Sequence, residues 1–257
     1  MAPLDALPYV NWLFWAMLSA GTLAVVALTE LLGGTTRGYR LFMSWFVLAT
    51  AVVLVVSGFA VPEGSARSSV LGLALAFGIC CLAYLVCVLF GIPRAPLGLA
   101  AAAGGVTAAA AVGLSAVQAV PAALFVAQVV AGGLALGSVS AAMLLGHWYL
   151  VTPRLSPSPL RRMVWLLLGA LAAQAGLFGL ALLVSPGDAV GVPLGWLTWL
   201  RLVAGTLLPL LIGALALLAT RAASLQASTG LLYVALALVA AGSIAGTSIT
   251  YLTGVPV

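Results

Sequence analysis

Apolar residues in this chain run in long unbroken blocks separated by short polar punctuation. Eight such blocks are read, at about 9–33, 38–60, 68–91, 95–116, 121–151, 160–184, 193–220 and 225–252. Each approximates the ~20 residues that a helix needs to cross a hydrocarbon core of ~30 Å. Between them stand Gly33 to Arg37, Pro62 to Ser65, Pro93 to Pro96, Gln118 to Pro121, the proline-rich stretch 153–159, Ser185 to Asp188, and Arg221 to Ser224. Glycine, proline and small polar residues of this kind do not comfortably continue a helix. The pattern predicts an all-α polytopic membrane protein with eight transmembrane helices. The fourth block is rich in alanine and glycine from Ala100 to Ala111, so it is only moderately hydrophobic and is expected to be shielded by its neighbours.

Composition sharpens this reading. Apolar residues make up 65% of the chain, charged residues 5%, and the mean hydropathy is +1.30. Soluble domains carry roughly a quarter charged residues, so the surface here must be satisfied by lipid. The eight blocks leave no room for a soluble domain, and chemistry outside the bilayer would need another polypeptide. The net charge of +5 is no nucleic-acid footprint, because the basic residues are few, all arginine, and scattered at block ends. Cys80, Cys81 and Cys87 share one apolar block and read as small hydrophobes. The first residues lack the basic stretch and small-residue cleavage site of a signal peptide, so the first block is expected to be retained as a span.

The arginines predict orientation. Arg37, Arg40, Arg94, Arg154, Arg161, Arg162 and Arg221 follow odd-numbered blocks with no acid among them, whereas Asp5, Glu63, Asp188 and Arg67 lie on the other side. Positive loops stay cytoplasmic, which puts both termini outside, in an inner (cell) membrane. Trp12, Trp15, Trp196, Trp199 and Tyr251 then fall near the outer interface, and Tyr39, Trp148, Tyr149 and Trp165 near the inner one, as amphipathic rings prefer.

Two halves, 1–118 and 119–257, are expected to be parallel repeats of four helices each. Ala20-Gly21-Thr22, Glu30 and Arg40 to Trp45 in the first answer to Leu136-Gly137-Ser138, His147 and Arg162 to Trp165 in the second, and Arg94 answers to Arg221. A shift of four spans preserves direction across the membrane, so the repeat axis would run along the membrane normal. Gly133 with Gly137, and Gly242 with Gly246, have the four-residue spacing that lets helix backbones approach closely. Those two helices are expected to be central.

Ionisable groups inside a membrane are costly and are functional candidates by default. Glu30, His147 and Arg201 qualify. Glu30 either snorkels to the inner surface or pairs with Arg37 or Arg40, or, at a place equivalent to that of His147 in the other half, is a candidate cofactor contact. His147, with Trp148 and Tyr149, is a candidate cofactor contact: an imidazole carries protons or ligates. Gln226, Thr229 and Tyr233 share a face of the last helix at spacings of three and four, and that face is expected to approach His147. Arg201 lies deeper, behind Trp196 and Trp199 and ahead of the helix-loosening Pro209. It either reaches out to lipid phosphate or Asp188, or lines an outward-facing pocket for an anionic or carbonyl-bearing ligand.

Absences narrow the field. Without lysine there is no retinal Schiff base, and a single histidine cannot supply the two axial ligands of a b-type haem. Single ligation of a haem or chlorophyll by His147 is the lesser cofactor alternative, and no metal-binding cluster is expected. No carboxylate lies near a block centre, and no hydrolytic constellation appears. Two functions are expected. The first is an integral subunit of a respiratory or photosynthetic electron-transfer complex, partnered by subunits that carry redox centres, with a cytoplasmic-side quinone pocket around His147. Quinone heads need hydrogen-bond donors at interface depth and an apolar slot. The second is a transporter or channel for a small neutral or anionic solute; a non-catalytic membrane scaffold is the plainest alternative. In outline the chain is similar to the NrfD-type quinone-reactive membrane anchors, which have eight helices in two halves and no redox centre of their own. That resemblance is one of architecture, this chain is shorter than typical members, and it carries over no functional residue.

Overall fold

The structure is a computed structural model that describes residues 3–117, 121–152, 155–184 and 195–257. The described residues are helical, without strands, and form eight helices long and apolar enough to cross a membrane. These are α1 (Pro3–Leu32), α2 (Arg37–Gly58), α3 (Ser65–Phe90), α4 (Ala95–Gly113), α5 (Ala122–Val151), α6 (Ser158–Val184), α7 (Gly195–Arg221) and α8 (Leu225–Thr253). Local chemistry sets the ends. The Thr36 hydroxyl accepts the Tyr39 amide at 3.2 Å and caps α2. Pro96 sits in the first turn of α4, where its missing N–H costs nothing.

Helices α1 and α5 form the centre. In α1, 78% of the most apolar window is buried within the protein, and in α5 67%, against 33% in α3, α6 and α7. Gly21, Gly133 and Gly137 explain the contact. A Cβ on Gly21 would overlap the Gly133 carbonyl, and one on Gly137 would overlap the Gly21 carbonyl group. Backbone touches backbone there, an approach that only glycine allows. Around this pair, α1 packs on α2 and α4, and α5 packs on α6 and α8; α3 closes the first group of four helices and α7 the second. The glycine spacing in α5 correctly marked a central helix. In α8 it marks two separate contacts: Gly242 meets Gly205 of α7, while Gly246 faces Arg201.

The fourth helix departs from expectation. It lays Ala102, Gly105 and Ala109 against its neighbours but leaves Ala100, Ala103, Gly104, Thr107 and Ala111 exposed. Its small side chains give close packing on one side only. The outer surface of the bundle otherwise carries large apolar residues such as Ile79, Phe90 and Leu183, as a lipid-facing surface requires. Cys81 is buried, Cys80 and Cys87 are half-buried, and all three are free thiols.

Helix α7 is not uniform. An α-helical turn, Gly195–Trp199, leads into a π-helical stretch, Leu200–Leu207, and then into regular α-helix, Leu208–Arg221. Pro209 supplies a physical reason. It offers no N–H to the preceding turn and its ring crowds the carbonyl four residues back, and the wider register just before it relieves both. The wider turn places Arg201 and Thr206, five residues apart, on one buried face, with the Thr206 hydroxyl donating to the Arg201 carbonyl at 3.1 Å.

Candidate functional site

Two polar clusters occupy opposite ends of the bundle. At the end where α1 finishes, Glu30 accepts from three groups at once. Arg94 forms a direct ion pair with it, Arg40 lies at 3.5 Å, and the Tyr84 hydroxyl donates at 3.1 Å. The carboxylate and the Arg94 side chain are mostly buried, 13% and 7% exposed. Of the two arginines expected to pair with Glu30, Arg40 does so; Arg37 instead donates to the Leu89 carbonyl at 3.1 Å. Arg94, placed in a loop by its prolines, turns inward as the main partner. The cluster ties α1, α2, α3 and the start of α4 together, and His147 is not among the groups that contact Glu30.

His147, Trp148 and Tyr149 do not converge. Consecutive residues of an α-helix point about 100° apart, and the three side chains follow that rule. His147 is exposed on the outside of the bundle. Trp148 leans onto Tyr39 and Phe42 of α2, with ring centroids 6.5 and 6.2 Å away. Tyr149 is buried and donates to the Ser156 carbonyl at 2.7 Å. Helix α8 does approach α5 here, through Thr229 against Gly146, where an added Cβ would strike the threonine hydroxyl. Thr229 spends that hydroxyl on the Leu225 carbonyl at 2.7 Å, and Gln226 and Tyr233 point outward. Of the expected inner pocket, the structure brings together only Thr229 and the backbone next to His147.

The denser site lies at the other end, around Arg201. Its side chain does not reach out to the surface: the residue is 4% exposed. Nε donates to the main-chain oxygen of Val257 at 3.2 Å, and Nη1 to Gln174 Oε1 at 3.4 Å. Asp188, the expected alternative partner, lies outside the described residues. Gly246 makes room for the guanidinium, since a Cβ there would stand 2.9 Å from Arg201 Nε and 2.9 Å from the Val257 oxygen. Trp196 and Trp199 point outward, 65% and 60% exposed.

Arg201 borders an interior cavity of about 30 Å³ lined by Met17, Gln128, Gln174, Ser243, Thr247 and Thr250, among others. Gln174 is 1% exposed, Ser243 5% and Gln128 7%. Both amide atoms of Gln128, the amide nitrogen of Gln174 and the Ser243 hydroxyl have no hydrogen-bond partner among the described residues. Native proteins pair most buried polar groups, so four such atoms on one cavity are a concentration that packing does not require. The set is rich in donors: a guanidinium, two amide NH₂ groups and a hydroxyl, from α5, α6, α7 and α8. Among the described residues no aspartate or glutamate side chain lines the cavity. A volume of this size accommodates about one water-sized object.

Gln128, Gln174 and Ser243 are not legible from sequence as a group, because they come from three different helices and none lies beside an ionisable residue in the chain. Glutamine in the middle of an oily block was the available signal: Gln128 and Gln174 are each surrounded by alanine, glycine, valine or leucine. Compared with known protein families, with curated proteins and with solved structures, the chain finds no match, so the likeness to the NrfD-type anchors is one of helix number alone.

Proposed function

We propose that this chain is a multi-pass membrane protein of the transporter class, whose Arg201 site takes the anionic or carbonyl oxygen of a small solute. The observation that carries this reading is the unpartnered donor set around one buried guanidinium. A cation removed from water is costly unless paired, and among the described residues Arg201 donates to the Val257 oxygen and to the Gln174 amide oxygen, with further donors beside it left over. A solute carboxylate or carbonyl oxygen supplies an acceptor for the amide nitrogens of Gln128 and Gln174 and the Ser243 hydroxyl, which have no partner among the described residues.

Orientation by the arginines puts this site toward the outer face. The two-half architecture suits the class, and the contact of Gly21 with Gly137 supports it. These two residues are equivalent in the sequence repeat, and equivalent residues meet only on the axis that relates the halves. The experiment is a thermal-unfolding panel on the purified protein in micelles with sodium chloride, nitrate, formate and acetate. A specific ligand at about a hundred times its Kd stabilises by ~2.7 kcal/mol. A selective upward shift with formate or acetate, absent from R201Q, is expected. Equal shifts with all four salts, or equal shifts in R201Q, would refute the reading.

The quinone reading retains one specific observation. A cleft of about 1050 Å³ opens sideways between α1, α5 and α6, lined by Leu28, Val130, Leu134 and Leu177, with Trp165 and Arg162 at one end. It offers an apolar slot with a donor at interface depth, which the His147 region lacks. In this second reading the chain serves an electron-transfer complex, and a ubiquinone analogue should quench tryptophan fluorescence in the wild type but not in W165L.

A further inference from the structure

The cleft beside α6 is not an even apolar surface. Its half nearer Arg162 is a gap between α1 and α6, which make little contact with each other. Leu28 and Leu32 wall this gap on one side, Trp165 and Gly169 on the other. Gly169 serves no contact inside the chain: a carbon added to it meets nothing within 4 Å, whereas Gly21 and Gly137 are pressed onto neighbouring backbone. Ala173, one turn further along α6, is exposed on the same wall.

Arginines gather at the lip of the gap. Arg162 Nη1 donates to the Leu32 and Gly33 carbonyls at 2.8 and 3.2 Å, which holds its guanidinium at the end of α1. Arg221 of α7 lies over the Trp165 ring, 5.7 Å from its centroid. Arg161 stands beside Arg162, and all three arginines are exposed. The ion pairs among the described residues use Glu30 and Glu63, and neither reaches these three. The first turn of α6 carries no acid, although the positive end of a helix favours one there. Orientation in a membrane requires arginines in the loops. It does not require one tied to the lip of a cleft and another laid on the tryptophan that walls it.

We propose that an anionic phospholipid occupies this gap, with its headgroup phosphate on Arg162 and Arg221 and an acyl chain along Leu28, Gly169 and Ala173. The inference is independent of the Arg201 reading. A guanidinium matches phosphate oxygens with paired N–H donors, and Arg162 Nε and Nη2 have no acceptor among the described residues. Trp165 stands between lip and gap, and amphipathic rings favour headgroup level. Basic pockets between transmembrane helices select anionic headgroups in this way. A quinone, the occupant in the second reading above, has a neutral head and leaves the arginines uncompensated.

The test uses the full-length protein, delipidated in micelles, with phosphatidylglycerol or phosphatidylcholine of the same acyl chains, and reads the bound lipid by native mass spectrometry. The wild type should hold phosphatidylglycerol roughly 10-fold or more tighter, the scale set by two arginines beside an anionic headgroup. R162Q/R221Q should bring the two lipids level. Because Arg162 also ties down the end of α1, R221Q alone serves as the variant that spares the fold, and it should narrow the preference. G169L/A173L fills the gap from its open wall and should lose the bound phosphatidylglycerol. Equal affinity of the wild type for both lipids, or undiminished phosphatidylglycerol binding by G169L/A173L, would overturn the inference. Two further results would also overturn it. A dimer lost in G169L/A173L, with lipid binding unchanged, gives the gap to a second copy of the chain. Decylubiquinone held in preference to phosphatidylglycerol, and lost in the same variant, gives it to a quinone.

Discussion

Replacing Glu30 with glutamine should strand two arginines. The carboxylate accepts from Arg94, Arg40 and Tyr84, and it is the only acid among the described residues that contacts either arginine. Removing one partner of a buried ion pair typically costs about 3–5 kcal/mol, because the remaining charge is left uncompensated. That range applies to Arg94, whose side chain is 7% exposed. Arg40 is 27% exposed and can re-solvate, so its share is no more than ~1 kcal/mol. The glutamine retains an acceptor for the Tyr84 hydroxyl, which keeps that bond of about 1 kcal/mol largely intact. E30Q is therefore expected to lose roughly 3–5 kcal/mol in denaturant-driven unfolding in micelles. R94Q should lose less, since its carboxylate keeps Arg40 and Tyr84. The double variant E30Q/R94Q should be no worse than E30Q alone, giving a coupling energy of at least ~1 kcal/mol. Additive losses, or an E30Q cost below that of R94Q, would refute the reasoning.

Three further outcomes follow from the packing. G21L should fail to yield folded protein, because its side chain would enter the Gly133 carbonyl, whereas G179A, with nothing within 4 Å of the added carbon, should fold normally; recovery of monodisperse protein after detergent extraction checks both. H147A should leave stability within ~0.5 kcal/mol of the wild type, as expected of a surface substitution, and should leave acetate binding unchanged; a lost ligand response would restore His147 to the site. Single cysteines at Gly64 and Gly34, in a background with the three native thiols removed, report orientation: an impermeant maleimide applied from outside should label the first and not the second.

Block hydropathy made the helices legible because bilayer thickness fixes helix length, a constraint that acts on each segment separately. The central place of α5 was legible for a similar reason, since Gly133 and Gly137 lie one turn apart in one segment. Its partner contact was not, because Gly21 carries no four-residue motif of its own. The inner site misread a local cluster as a convergent one. His147, Trp148 and Tyr149 are adjacent in sequence, and helical geometry sends adjacent side chains to different environments. Arg201 itself was legible as an ionisable residue inside an apolar block, but the rest of its site was not. Its members come from four helices, and two of them are glutamines, which hydropathy treats as minor blemishes. The turn at Gly254 that brings Val257 back to Arg201 depends on tertiary packing and left only a glycine and a proline as traces.

The most direct test of the central claim is uptake of labelled pyruvate by proteoliposomes at alkaline pH, where the membrane-permeant acid form is scarce. The account predicts saturable uptake by the wild type, competed by acetate and not by chloride. R201Q should abolish that uptake, while R201K, which keeps the charge but not the fork, should retain only part of it. Uptake by R201Q equal to that of the wild type, or wild-type vesicles no different from protein-free ones, would contradict it.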